Sequence, residues 1–267
     1  MNQLICCINK DRIEFIRKKK NLICLLVLIG IVSMVLLTTF FMPQLLEKAM
    51  SLTNILSDDT SLAEFMGKFF PQTLKESMGI FSSDVGVFYS LLVICLSFNL
   101  LPNEIESGKL ILPLCAGYNK NIFFISKEIT YSFLCAAPVF PIYVLYFFLG
   151  SNFLENNYNL ESVIINGIVL AVTEFFICCF TITLSVIYKN KYIPLVNILL
   201  FVVVLPDILS SFSFAKYIPT YMLTYVYTSS EEPKLLIVPI AISVVVIAVL
   251  NIFVLNRKFS IDVDERR

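Results

Sequence analysis

Long uncharged apolar runs restrict this chain to a narrow set of folds. Crossing the hydrocarbon core of a bilayer takes about 20 helical residues, and six runs approach or exceed that length. They are residues 22–42, 85–101, 129–149, 162–188, 193–210 and 235–255. Because hydrocarbon offers no hydrogen-bond partners, each run must satisfy its own backbone polar groups, as a helix does. The sequence therefore predicts an all-α, polytopic membrane protein with six transmembrane helices, forming a single transmembrane domain over residues 1–267.

The composition supports this class and excludes several chemistries. Apolar residues make up 58% of the chain, and it contains no histidine, which rules out histidine-based triads and imidazole acid–base chemistry. Lys plus Arg equals Asp plus Glu at 20 each, so the net charge gives no reason to expect a nucleic-acid partner. The eight cysteines show no Cys-x-x-Cys spacing. We therefore expect neither a metal site nor catalytic residues in this chain.

The distribution of basic residues predicts the orientation. Fifteen of the 20 Lys and Arg residues fall on one side of the proposed spans and five on the other. By the positive-inside rule the richer side is cytoplasmic, which places both termini, including the tail 256–267, in the cytoplasm. We expect a multi-pass protein of the cytoplasmic (inner or plasma) membrane, from a bacterium.

The segments outside the spans carry their own patterns. Residues 1–20 have apolar residues at helical spacing, which predicts an amphipathic helix on the inner membrane face, with a simple basic tail as the alternative. The two outer segments, 43–84 and 211–234, are long enough to be structured. Thr73-Leu74-Lys75-Glu76 fits a capping box in the first segment, which predicts a short amphipathic helix there. Tyr217, Tyr221 and Tyr225 in the second are typical of either a re-entrant hairpin or an aromatic belt.

Prolines and one acidic residue stand out within the spans. Pro138 and Pro141 are expected to kink the third span, whereas Pro194 and Pro206 make the fifth the least regular. Glu174 lies near the middle of the fourth span, where an acidic residue costs roughly 2.5–3.5 kcal/mol. It is either protonated and hydrogen-bonded to Thr or Tyr side chains of neighbouring helices, or part of a polar substrate path.

The cytoplasmic segment 102–128 carries the most specific motif. The residues of the motif in order are Glu104, Glu106, Gly108, Lys109, Asn119, Lys120 and Lys127. The segment resembles the permeases of ABC-2 type transporters, in which E-x-E-x-G-T, a Pro-x-Ser-Arg turn and a lysine recur at this spacing. Lys109 stands in place of the Thr, Gly117 in place of the Pro, and Asn119-Lys120 in place of Ser-Arg. The order of spans, loops and charged ends over almost the whole chain is similar to that family as well.

The resemblance implies a permease subunit of an ATP-driven exporter. It also implies cytoplasmic ABC ATPase subunits that bind ATP and Mg²⁺, a second permease copy, identical or related, and coupling to the ATPase through segment 102–128. No GxxxxGK[ST] sequence occurs in the chain, so ATP hydrolysis is expected in the partner. The apolar spans suggest an amphipathic substrate, with a peptide favoured over a lipid or a hydrophobic drug.

Two other classes of function remain open from the sequence. One is a non-transporting immunity or sensing subunit that binds a toxic peptide at its outer segments. The other is an intramembrane enzyme, which the sequence disfavours because Glu231-Glu232 lacks the Arg of a Glu-Glu-x-x-x-Arg site.

Overall fold

The computed structural model describes residues 2–42, 44–45, 48, 71, 73–109, 115, 117–154, 158–188, 196, 217–219, 221–228 and 236–256. Within these ranges five helical stretches are long and apolar enough to cross a membrane. They are Lys20–Phe41, Leu74–Ile105, Lys120–Gly150, Leu160–Ile187 and Ile237–Leu255. The predicted span 193–210, apart from residue 196, lies outside the described residues, as do the tail beyond residue 256 and most of segment 43–72. The all-helical membrane class is therefore supported, with five of the six predicted spans visible.

The helices are numbered along the chain. They are α1 (Asn2–Arg17), α2 (Lys20–Leu36), α3 (Leu74–Asp84), α4 (Ser90–Ser97), α5 (Leu100–Glu106), α6 (Lys120–Ala136), α7 (Val139–Gly150), α8 (Leu160–Ile187), α9 (Tyr221–Thr228) and α10 (Ile237–Asn256). Turns of π-helix, Leu37–Phe41 and Val85–Tyr89, extend α2 and join α3 to α4.

The bundle has two chemically different ends. At the end that we call the charged end, α1 packs on the start of α6, beside α5 and the last turns of α8 and α10. At the opposite end, the aromatic end, the start of α3 packs on α7 and α9. Helix α8 contacts α4, α6, α7, α9 and α10 and forms the centre of the bundle.

Helix α1 is amphipathic, as predicted, but its apolar residues divide between two faces. Cys7, Asp11 and Phe15, spaced four residues apart, are buried against the bundle. Ile5 and Ile16, in contrast, are about half exposed. The face that packs on the bundle thus includes a charged residue, which hydrophobic periodicity alone does not reveal.

The second span begins earlier than predicted. Thr73 caps α3 as the sequence indicates, its hydroxyl accepting a hydrogen bond from the backbone NH of Glu76 at 3.3 Å. The helix then continues through the π-turn into α4 instead of ending as a short outer helix, so residues 74–84 are continuous with the helical stretch that is long and apolar enough to cross a membrane. Lys75, Glu76 and Asp84 interrupt the apolar run, which is why the predicted boundary falls at residue 85.

The third span is divided into two helices, as its prolines predict. Helix α6 ends at Ala136 and α7 begins at Val139, with Pro138 preceding it. Pro141 lies in the first turn of α7, where its missing NH costs no intrahelical hydrogen bond. The span is also longer than predicted, since α6 begins at Lys120. Much of the predicted cytoplasmic segment 102–128 is therefore helix continuous with the spans, and residues 107–119 connect them.

Candidate functional site: a buried lysine between two carboxylates

Lys127 forms the centre of a buried ion cluster at the charged end. Its ammonium Nζ lies 3.0 Å from Asp11 Oδ1 and 2.7 Å from Glu104 Oε1. The side chains of Lys127 and Asp11 are fully buried, and that of Glu104 is 9% exposed. Ions so far from water are stable only with close partners, because desolvation costs several kcal/mol per ion. The cluster thus joins three separate elements, α1, α5 and α6, by charge.

Neighbouring side chains hold the cluster in place. The second oxygen of Asp11, Oδ2, accepts a hydrogen bond from Ser126 at 3.0 Å. Phe123 and Tyr131, one helical turn before and after Lys127 on α6, place their ring centroids 5.3 and 5.7 Å from its ammonium. A cation at this distance from aromatic rings gains roughly 0.5–2 kcal/mol. The helical spacing of these residues therefore places two aromatic rings beside the Lys127 ammonium.

The chain after Glu104 turns sharply. Gly108 has a φ of 69°, in the left-handed region that glycine adopts without strain, and the backbone NH of Lys109 donates to the carbonyl of Glu104 at 3.1 Å. At the far side of the connection, Asn119 caps α6 by accepting a hydrogen bond from the backbone NH of Asn121 at 2.9 Å. Gly108 thus makes the turn that follows α5, and Asn119 makes the cap that begins α6.

The cluster also affects titration in α1. Burial alone would raise the pKa of Glu14, but the ammonium groups of Lys18 and Lys127 outweigh it and hold this pKa below its ordinary value of 4.5. Burial, with the nearby Asp11 carboxylate, raises the pKa of the Cys7 thiol. Glu14 is therefore ionised, and Cys7 a neutral thiol, at neutral pH.

A third buried carboxylate, that of Glu128, follows Lys127 on α6. Glu128 accepts hydrogen bonds from the amide of Asn251, at 3.0 Å on Oε1 and 2.9 Å on Oε2. The hydroxyl of Thr183 lies 3.3 Å from Oε1 of the same carboxylate and 3.0 Å from Asn251 Oδ1. These contacts link α6 to the last turns of α8 and α10. The end of α10 is consequently fastened next to the helix that holds α1.

Glu174 lies apart from both clusters, inside the bundle. It is fully buried, and its Oε1 accepts a hydrogen bond from Ser90 at 2.6 Å. Its other oxygen has no partner among the described residues. The partner is thus a serine of α4 rather than the Thr or Tyr considered from the sequence. Glu174 joins α8 to the second span at its middle.

The structure brings together part of the predicted coupling set. Glu104 and Lys127 meet in one cluster, and Lys109 lines a cavity beside it. Lys120 is the exposed first residue of α6, and the side chain of Glu106 lies outside the described residues. Lys127 lies about two turns into α6, which begins at Lys120, and its side chain is buried.

Sequence reasoning missed Asp11, Glu128 and Asn251. Asp11 was counted among the polar residues of a surface helix, and Glu128 fell one residue outside the predicted span 129–149. The spacing of Cys7, Asp11 and Phe15 is the pattern that could have placed Asp11 on a packed face.

Comparison with known proteins adds no identification. No protein-family model matches the chain, and no curated protein matches it significantly. In the part of the chain that the structure describes, no group of three or more Cys, Asp or Glu side chains could hold a metal ion.

Proposed function

We propose that this chain is the permease subunit of an ABC-2 type exporter that moves an amphipathic substrate across the cytoplasmic membrane. The observation that carries the proposal is the Asp11–Lys127–Glu104 cluster. It ties α1 and the Glu104–Lys109 turn, the part that resembles the family's coupling segment, to the third span. A cytoplasmic ATPase could therefore act on the bundle through a charged, buried joint.

The proposed topology has six spans with both termini in the cytoplasm. Helix α8 ends at the charged end, where Thr183 meets Glu128, whereas α10 starts at the aromatic end, where Leu236 packs with Val169. The chain must return between these helices, which supports a span at 193–210. The Glu128–Asn251 contact keeps the end of α10 beside α1, in agreement with a shared side for both termini. That side carries most of the basic residues and faces the cytoplasm in our proposal.

In the proposed mechanism the ATPase dimer, which binds ATP and Mg²⁺, closes and displaces segment 107–119. Because Glu104 and Asp11 both pair with Lys127, a displacement of α5 moves α1 and α6 with it. The break at Ala137–Pro138 lets α6 tilt while α7 stays packed at the aromatic end. A second permease copy, identical or related, completes the path.

An apolar cavity supports an amphipathic substrate. It has a volume of about 230 Å³ and lies between α8, residues 218–222 and α10, with Phe176, Phe180 and Met222 among its lining residues. Such a cavity is suited to the apolar part of a peptide, a lipid or a hydrophobic drug. A peptide remains the favoured class.

The test compares Glu104→Gln with Glu161→Gln, a matched change of an exposed glutamate at the aromatic end. The native complex would be purified through a tag on this chain and reconstituted into vesicles. We expect an ATPase to co-purify, and Glu104→Gln to lower substrate-stimulated ATP hydrolysis and transport together while the control keeps both. If the purified chain binds a toxic peptide but neither recruits an ATPase nor moves substrate, the immunity or sensing function replaces this proposal.

A further inference from the structure

A polar cavity of about 450 Å³ opens at the charged end, between the ends of α1, α2, α4 and α5. Its volume lies within the range of small-molecule sites, roughly 300–1,000 Å³. Cations and hydrogen-bond acceptors both line it. The cations are Lys18, Lys20 and Lys109, and the acceptors are Glu14, Asn99, Asn103 and Glu104. A ligand for this cavity must satisfy both kinds of group.

The part of the cavity lined by the acceptors is suited to a hydrogen-bond donor that carries positive charge. Asn99 Oδ1 and Glu104 Oε2 are buried and have no hydrogen-bond partner among the described residues. Glu104 is 7% exposed, and its other oxygen is already occupied by Lys127. Asp11 and Glu104 share the single ammonium of Lys127, and Glu104 Oε2 is left without a partner among the described residues. An unpaired buried acceptor costs about 1–3 kcal/mol, and more when it is charged, so a cationic donor at Glu104 would recover that energy.

The part of the cavity lined by the lysines is suited to an anion. Lys20 donates to the carbonyl of Leu96 at 3.3 Å and lies 4.9 Å from the centre of the Tyr131 ring, while Lys18 pairs with Glu14. Each ammonium has three donors, so these contacts leave capacity for further acceptors. Three ammonium groups around one cavity favour a phosphate.

The position of the cavity indicates that the phosphate belongs to a lipid. Lys20 is the first residue of the apolar helix α2, which is the level at which headgroups meet a membrane protein. Leu96 and Phe98 add apolar surface to the wall, along which an acyl chain could leave. A phosphate joined to a primary ammonium matches both halves of the lining.

We infer that this cavity binds the headgroup of a phosphatidylethanolamine lipid. The phosphate contacts the three lysines, and the ammonium donates to Glu104 Oε2 and Asn99 Oδ1. The inference requires only that the chain spans a bilayer, and it holds whether or not the chain is an exporter permease.

The test uses native mass spectrometry of the full-length chain in detergent, with phosphatidylethanolamine, phosphatidylcholine and phosphatidylglycerol of the same acyl chains. Phosphatidylcholine differs from phosphatidylethanolamine only in three N-methyl groups, which abolish the NH donors. We expect the ethanolamine lipid to bind about tenfold more tightly, as one charge-assisted hydrogen bond predicts. Equal binding of the two lipids, or tighter binding of phosphatidylglycerol, would overturn the inference, since the cavity would then be merely hydrated or an anion site.

Two variants separate the two halves of the site. Asn99→Ala removes one acceptor, and since this side chain makes no capping hydrogen bond to α5, the fold should persist. It should reduce the preference for ethanolamine over choline without weakening choline-lipid binding. Lys109→Gln should weaken the binding of both lipids equally. Lys75→Gln, at the aromatic end, should weaken the binding of neither. An unchanged preference in Asn99→Ala would contradict the inference.

Free O-phosphoethanolamine identifies the source of the headgroup. It carries the same phosphate and ammonium but no acyl chains, whose burial contributes about 0.8 kcal/mol per CH₂ group. We expect it to displace the lipid at least about a hundredfold less effectively than a short-chain phosphatidylethanolamine. Equal displacement would reassign the cavity to a soluble phosphoamine and overturn the lipid assignment.

Discussion

The two ends of the bundle are fastened by different forces. At the charged end, Lys127 joins three helices through two carboxylates. At the aromatic end, Phe81 stacks on Tyr146 with ring centroids 4.4 Å apart, and the hydroxyl of Tyr146 bonds to Ser77. The stability of a buried charge depends on its partners, whereas the stability that stacked rings contribute depends mainly on the area they bury. At the charged end the stability therefore depends on keeping every charged partner, whereas at the aromatic end it depends on how much ring area a substitution removes.

The largest expected effect follows from removing the shared cation. Lys127→Met leaves Asp11 and Glu104 buried without a counter-charge, and breaking a buried pair in this way costs about 3–5 kcal/mol. We expect a large drop in thermal stability of the detergent-purified protein, measured by size-exclusion chromatography after heating. The same change at exposed Lys75 is the control. A Lys127→Met protein as stable as the control would mean that the cluster does not fasten the charged end.

The aromatic end should separate the contribution of the ring from that of the hydroxyl. Tyr146→Phe removes only the hydrogen bond to Ser77 and should cost about 1 kcal/mol. Tyr146→Ala also removes the ring stacked on Phe81 and should cost about 3–5 kcal/mol. Comparing the melting temperatures of the two variants tests the assignment. If Tyr146→Phe lowers the melting temperature as much as Tyr146→Ala, the hydrogen bond and not the ring area fastens this end.

A smaller effect is expected where α7 and α8 approach closely. A Cβ added at Gly167 would lie 3.1 Å from Tyr143 and 3.2 Å from Phe140, tighter than ordinary packing. Overpacking of this kind costs about 1–3 kcal/mol, and the rings can shift to relieve part of it. Gly167→Ala should therefore lower the melting temperature modestly, whereas Gly30→Ala on α2, where the added methyl would meet no neighbour within 4 Å, should not lower it. Equal effects at the two glycines would show that helix propensity, and not packing, determines the result.

The smallest effect concerns pH at the charged end. The folded protein holds the pKa of Glu14 below its unfolded value, so the folded state favours the ionised form. The resulting stabilisation is present above about pH 4.5 and is lost as the pH falls through the folded-state pKa. We expect the stability difference between wild type and Glu14→Gln to shrink as the pH is lowered from 7 to below 4.5. If this stability difference grows on acidification, the folded state raises the pKa of Glu14 instead of lowering it.

Local features of the fold could be predicted from the sequence, because hydrocarbon forces apolar runs into helices. The cap at Thr73, the break at Pro138 and the turn at Gly108 follow from the conformational preferences of single residues and are present in the structure. The pairing of Asp11 with Lys127 could not be predicted. Its partners are 116 residues apart, and nothing in either local pattern specifies the other.

The same separation along the chain sets an order of assembly. Asp11 leaves the ribosome long before Lys127 does, and their ion pair cannot form until the first two apolar helices have been synthesised. Until then the Asp11 carboxylate is without this cation. Lys127, in turn, is synthesised after both of the acids that pair with it, Asp11 and Glu104. The cluster that fastens the charged end can therefore close only after the third of these residues has been added to the chain.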